Sequence, residues 1–339
     1  MRKKIKSILI VFSLFTILLS VFGSCKKDEE SIRIPVVSTL GTTVISQTKA
    51  WVDAEIINDG GETPVNFGIL WSKNHEPDHD DNKIEADAEE LGFSYQMINL
   101  EPATTYYVRA YAKNSKGIGY GEVLSFTTLE ELFDIEGNVY HTVIIGSQEW
   151  MSENLKTTTY NDGTPIPNIT DNQQWMDHTD GAYTWYNNDK EFSKNTYGAL
   201  YNWYAGKTEK LCPVGWRVSS DEDWFILTHY VGPHEGLKLR STRKEPDDHP
   251  RWGAENTVAT DEFGFSALPG GLRGWFYIPD YYQDDLEVFE GLTWSGHWWT
   301  STEFDDTKAI SRDISDRYVN RSSTFFDKRC GKSIRCVKE

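Results

Sequence analysis

Cysteine and methionine are scarce, at four each in 339 residues, and 34 lysines and arginines are outnumbered by 52 acids. Once the first 24 residues are set aside, no basic cluster remains to neutralise phosphates, which excludes nucleic acid as a partner. The chain also lacks the metal-protease helix motif, the serine-elbow motif and a phosphate-cradling glycine loop. Its longest apolar run, Ile8 to Phe22, is too short for a membrane span. What it does have is a hydrophobic content of 38%, with aromatics at 14%, enough to build real cores over a length that suits two or three domains.

The start, MRKKIK, is basic; the apolar run follows, and small residues lead into Cys25. This order predicts an export signal over residues 1–24. Removing it takes away Arg2, Lys3, Lys4 and Lys6 and no acid, so the formal charge of −18 becomes about −22. Phe22, Gly23, Ser24 and Cys25 resemble a bacterial lipoprotein lipobox, with Phe22 standing where an aliphatic residue is usual. Lys26, Lys27, Asp28, Glu29 and Glu30 resemble the short tag that sends Bacteroidetes lipoproteins to the outer surface. The expectation is lipidation at Cys25, a linker over 25–35, and an outer-membrane protein anchored by its lipid and facing the cell exterior.

Residues 36–129 alternate strand-like segments with turn signals about every ten residues. AWVDAEII (Ala50 to Ile57) alternates and ends in Asn58, Asp59, Gly60 and Gly61; NFGILWS (Asn66 to Ser72) is the next strand. Leu100 and Pro102 followed by TTYYVRAYA resemble the fibronectin type III-like module of Bacteroidetes surface proteins. The resemblance implies an immunoglobulin/fibronectin III-like sandwich, a fold that does not by itself give a function. Asp78, Asp80, Asn82 and Glu89 have the spacing of a calcium loop, but Lys83 stands where that loop needs glycine, so a solvated acidic loop is expected and calcium is the alternative.

From Phe133 tryptophan becomes dense. Glu222 follows Ser219 by three residues, the capping-box spacing, and Trp224, Leu227 and Val231 recur on one helical face, which predicts a helix from Ser219. TYGALYNWYAG predicts another, capped by Thr196, stopped by Gly206, and facing the core with Tyr197, Leu200, Tyr201 and Tyr204. Three cysteines lie in this region, Cys212, Cys330 and Cys336, and export permits a disulfide; spacing alone leaves all three pairings open.

Asp134, Gly137, Asn138 and Tyr140, then Trp150, Met151, Glu153, Asn154, Leu155 and Lys156, begin a series of motifs that continues with YGALYNWYA, LCPVGWRV, GFSALPGGLR and GKSIRCVK. In this order they resemble the Fibrobacter succinogenes major paralogous domain, over 133–339. Its helices, twisted β region and final cysteine strand are similar to the α+β C-type lectin-like fold, shared by formylglycine-generating enzymes. That resemblance implies a Cys212–Cys336 disulfide, with Cys330 left over.

The lectins' calcium motifs are missing, so no cofactor is expected; Asp284, Asp285, Asp305 and Asp306 read as solvated acids, and His229, His234 and His249 fit no zinc template. Lys328 and Arg329 beside Cys330 are the one hint of thiol activation. Trp275, Tyr277, Tyr281, Tyr282, Trp298 and Trp299 crowd an acidic loop region that Pro279 interrupts, which makes them the candidate ligand-binding residues, for a sugar face or a protein partner. The favoured function is a non-catalytic, surface-anchored lipoprotein binding glycan or protein. The alternatives are an enzyme, either an oxidase on the formylglycine-type fold or an unrecognised carbohydrate-active enzyme, and a structural surface component.

Overall fold

A computed structural model describes residues 31–85, 92–274, 288–322 and 327–339. The first eight strands are β1 (Val36–Thr43), β2 (Ala50–Asn58), β3 (Asn66–Ser72), β4 (Asn82–Glu85), β5 (Gly92–Met97), β6 (Thr105–Asn114), β7 (Gly117–Tyr120) and β8 (Leu124–Thr127). They form two sheets, β1-β2-β5 and β4-β3-β6-β7, with β8 also pairing β6. Alternation decides the faces: Ala50, Val52, Ala54 and Ile56 of β2 point inward and meet Ile69, Val108, Ala110 and Ala112 from the other sheet. The Tyr106 hydroxyl accepts from the Glu101 amide at 3.0 Å, the tyrosine corner that fixes the entry to β6 in sandwiches of this kind. The module is fibronectin III-like.

The rest of the chain begins with a short ladder of β9 (Leu132–Phe133) and β10 (Val139–Tyr140). One antiparallel sheet then runs β11 (Thr142–Ile145), β12 (Gln148–Met151), β21 (Cys336–Lys338), β15 (Trp216–Val218), so the final strand is inserted between two strands formed much earlier in the sequence. A second sheet runs β17 (Phe289–Leu292), β16 (Gly270–Arg273), β18 (Gly296–Glu303), β19 (Ala309–Ile314), β20 (Val319–Ser322), and a small pair joins β13 (Tyr183–Thr184) to β14 (Leu200–Tyr201). The helices are short: α1 (Asn172–Asp177), α2 (Lys190–Ser193), α3 (Trp203–Lys207), α4 (Asp221–Val231) and α5 (Glu235–Leu239).

Helix α4 starts one residue later than the sequence spacing implies. Ser220 is the cap and Asp223 closes the box, while the Ser219 hydroxyl is buried and accepts from Trp224 Nε1 at 2.9 Å. Arg217 holds the Asp223 carboxylate from β15, which selects that register over Ser219 with Glu222. Trp224 then packs against Trp150, Phe265 and Trp298 at centroid distances of 5.3, 5.5 and 5.7 Å.

The helix expected over Tyr197 to Ala205 does not form. Gly198 has φ +79°, and a Cβ there would lie 2.7 Å from the Leu155 carbonyl, so the chain turns left-handed and runs close to its neighbour. Leu200 and Tyr201 enter a strand, Asn202 caps α3 by accepting from the Ala205 amide, and Gly206 lies inside that helix. Tyr197, Leu200 and Tyr201 are buried all the same.

Cys212 and Cys336 form a disulfide that spans 124 residues and lies within the core, tying the segment before β15 to the final strand.

The sandwich is hydrogen-bonded to the second domain. The turn between β1 and β2 lies along β11: Ile144 donates to the Ile45 carbonyl at 3.0 Å, and Ser46 bridges Val143. Gln47, buried, accepts from the Thr142 amide at 2.9 Å and donates to the Thr142 hydroxyl and the Glu130 carbonyl, both at 3.0 Å. The two modules therefore share a polar seam, and the seam forms one side of a cleft.

Candidate functional site

The cleft has a volume of about 500 Å³, within the range of small-ligand sites. From the sandwich come Val44, Ser46, Thr48, Lys49 and Gln96; from the second domain come the β11–β12 region with His141, Glu153, Asn154 and Lys156, the Lys194–Gly198 segment, Arg243, and the Asp261–Ser266 turn. The left-handed turn at Gly198, near the start of the predicted helix, lines this wall together with Lys194, Asn195 and Thr196.

His141 Nδ1 lies 2.7 Å from Glu153 Oε1. The hydrogen bond raises the His141 pKa; burial pushes Glu153 upward, but His141 outweighs it and the carboxyl ends below its ordinary value. The two side chains are therefore engaged with each other, and Lys156 adds to the pull on the Glu153 carboxylate. Lys156 lies 5.3 Å over the Tyr140 ring, and Arg243 donates to the Asp248 carbonyl at 2.8 Å. Lys49, Lys156, Lys194 and Arg243 form no ion pair among the described residues.

Asp261, at φ +45°, accepts from the Ser266 amide at 2.8 Å and from its hydroxyl at 2.6 Å. Burial raises its pKa from 3.8 to about 7 against those two bonds. The folded protein therefore retains a proton that the unfolded chain releases, and stability falls as pH climbs from 3.8 to about 7. Asp261→Asn preserves an acceptor for the amide and removes the ionisation. Thermal melts of both proteins at pH 3.5 and pH 8 are expected to show the variant gaining several degrees on the wild type at pH 8 and little at pH 3.5; the same offset at both values would show that Asp261 does not titrate in this range.

Two of the six aromatic residues predicted for ligand binding lie in the core. Trp298 and Trp299 are fully buried: Trp298 Nε1 donates to Asn154 Oδ1 at 2.9 Å, and Trp299 Nε1 donates to the Tyr201 and Cys330 carbonyls, each at 3.1 Å. They are core residues because β18 lies between two hydrophobic clusters and buries both faces. Trp275, Tyr277, Tyr281 and Tyr282, with Asp284 and Asp285, lie outside the described residues, as do Cys25 and Glu89.

Cys330 is buried, and Lys328 and Arg329 beside it bond to acidic residues, with Arg329 still within electrostatic reach of Cys330. Lys328 donates to Glu303, Asp305 and Asp306, and Arg329 pairs with Asp327. His249 bonds the Tyr197 hydroxyl at 2.6 Å, His229 stacks on Phe225 and His234 packs against Tyr318, so the three histidines have separate surroundings. Asp305 turns back on Thr307 and Lys308, and Asp78 on Asp80. Among the described residues no three His, Cys, Asp or Glu side chains gather as metal ligands would.

Sequence reasoning missed the cleft, whose residues are drawn from segments as far apart as Val44 and Leu268. The only local signal was the run Glu153 to Lys156 within the opening motif.

A fibronectin III-like sandwich bonded along one edge to a disulfide-tied, tryptophan-rich domain, with a polar cleft at the seam, defines a two-module chain of the surface or binding type. The second module carries the identity: residues 143–338, more than half of the chain, match the Fibrobacter succinogenes major domain, and the chain belongs to that family. No curated protein sequence matches it. Among solved structures it is similar to chicken contactin 1 domains FN1–FN3, with 19% identity and a TM-score of 0.25, covering 29% of this chain and 33% of that one. The sensor domain of the anti-sigma factor RsgI4 of Pseudobacteroides cellulosolvens matches with 18% identity and a TM-score of 0.24, covering 30% of this chain and 99% of that one. A human contactin 1 fn3 domain matches with 21% identity and a TM-score of 0.25, covering 30% and 85%. The chain thus spans about a third of the three-domain contactin fragment.

Proposed function

We propose that this chain is a non-catalytic lipoprotein, anchored to the outer membrane through Cys25 and facing the cell exterior, that binds a glycan or cell-surface protein. The observation that carries the binding reading is the cleft of about 500 Å³ built jointly by both modules. The anchor rests on the signal-like start and the lipobox-like Phe22 to Cys25. A lectin-like identity for the second module is supported by its few short helices, its two sheets, and the disulfide that joins the last strand back to Cys212. Its role is then to present ligand-binding groups from loops rather than to perform chemistry, in keeping with the burial of Cys330.

Asn195 is exposed on the cleft wall, so Asn195→Trp fills the space without disturbing a core. A panel of polysaccharides and surface proteins screened with the full chain in detergent micelles should yield a ligand whose affinity falls at least tenfold in this variant, with the melting temperature unchanged. Ligands bound equally well by both proteins would remove the cleft from the function.

A further inference from the structure

The wall of the cleft has a charge opposite to that of the molecule around it. The chain carries 52 acids against 34 lysines and arginines, yet Lys49, Lys156, Lys194 and Arg243 converge on one concave surface. Four cations face it from four separate segments, one of them in the sandwich. The four cations outnumber the two carboxylates on the same wall: Glu153, bonded to His141 at 2.7 Å and within reach of Lys156, and Asp261, bonded to Ser266 and within reach of Lys49. A concave cluster of one sign concentrates ligands of the other sign, and here it does so against a protein whose overall field repels them.

A second feature narrows the ligand. Among the described residues no tryptophan, tyrosine or phenylalanine lines the cleft. A site for neutral sugars draws much of its affinity from an aromatic face under the C–H face of the ring, and the described residues of these walls offer none. Their other groups are short hydroxyls and amides, Ser46, Thr48, Gln96, Ser152, Asn195 and Thr196, which suit hydroxyl-bearing rings better than the apolar side chains of a peptide.

Resting on the reading of the cleft as the binding site, we infer that its ligand is an acidic saccharide, whose carboxylate or sulfate groups engage Lys49, Lys156, Lys194 and Arg243 while its hydroxyls bond the short polar side chains. Recognition needs both modules, since Lys49, Ser46 and Thr48 come from the sandwich and the other three cations from the second domain.

The test is calorimetric titration of the full chain in detergent micelles with matched pairs: polygalacturonate against its carboxyl-reduced form, and dextran sulfate against dextran. Polyglutamate serves as a charged peptide. The acidic member of at least one pair is expected to bind at least about tenfold more tightly than its neutral partner, and to weaken several-fold when salt rises from about 50 to 200 mM. Preference between the two pairs separates uronate from sulfate ester. Lys194→Gln with Arg243→Gln should cost the acidic ligand about tenfold or more and leave the melting temperature in place. A neutral saccharide that binds as well as the acidic one, is indifferent to the double substitution and is still blocked by Asn195→Trp would overturn the charge inference and leave the cleft as a binding site. Polyglutamate binding more tightly than either polysaccharide would overturn the saccharide assignment. If no saccharide responds to Asn195→Trp, the cleft reading falls and this inference falls with it.

Discussion

Arg335→Met is expected to destabilise the second domain by about 3–5 kcal/mol. Arg335 is fully buried, and its guanidinium donates to Asn154 Oδ1 at 2.9 Å and to the carbonyls of Met151, Phe265 and Ser266 at 3.0, 2.6 and 2.9 Å. Those acceptors come from two distant segments, so one side chain ties the end of β12 and the loop after it to the turn that walls the cleft. Burial lowers the guanidinium pKa to about 9; among the described residues it forms no ion pair, and neutral dipoles bond it while Glu153 and Asp261 support its charge without touching it. Methionine fills much of the same volume but takes the guanidinium's donors away from every one of those acceptors, and each acceptor left unpaired costs about 1–3 kcal/mol unless water reaches it. Urea denaturation is the measurement. Arg335→Lys, with fewer donors and no planar fork, should fall between the two. A loss below about 1 kcal/mol for the methionine variant would show that the acceptors re-pair readily.

Cys212→Ala with Cys336→Ala has an expected cost of similar size. It opens a loop of 124 residues, for which the chain-entropy relation gives about 5 kcal/mol, with 2–5 typical of measured cases. The topology adds to the consequence. β21 lies between β12 and β15, so until the C-terminus docks, one sheet lacks a central strand. Unfolding of the double variant in urea should therefore shift to much lower denaturant, and limited proteolysis should cut first near the C-terminus. A midpoint within experimental error of the wild type would mean that the cross-link constrains little of the unfolded chain.

Much of the fold was legible because its signals are local. The alternation in Ala50 to Ile57 names the buried face of β2 directly, and Leu100 and Pro102 before TTYYVRAYA mark the module, to which the structure adds the Tyr106 hydroxyl closing the corner. The start of α4 was legible to within one residue, and the difference came from Arg217, a neighbour on another element that captures Asp223. The Tyr197 stretch misled for a related reason: the aromatic spacing is helical, but Gly198 is placed by contact with Leu155.

Trp298 and Trp299 show the limit of pattern reading. Adjacent residues on a strand face opposite sides, so a strand with one wet face exposes one of two neighbouring tryptophans. Here one side meets Trp224 and Ile314 and the other meets Tyr201 and the Cys212–Cys336 pair, and both rings are buried. By itself the sequence determined the order of the two modules, the strands of the sandwich, the family motifs and the helix after Ser219, because each depends on residues within a few positions of one another. The tertiary structure decided which tryptophans are core, which cysteines join and which cations share a cleft. These depend on contacts between segments as distant as Lys49 and Arg243, where burial and charge are set by what packs alongside rather than by what comes next in the chain.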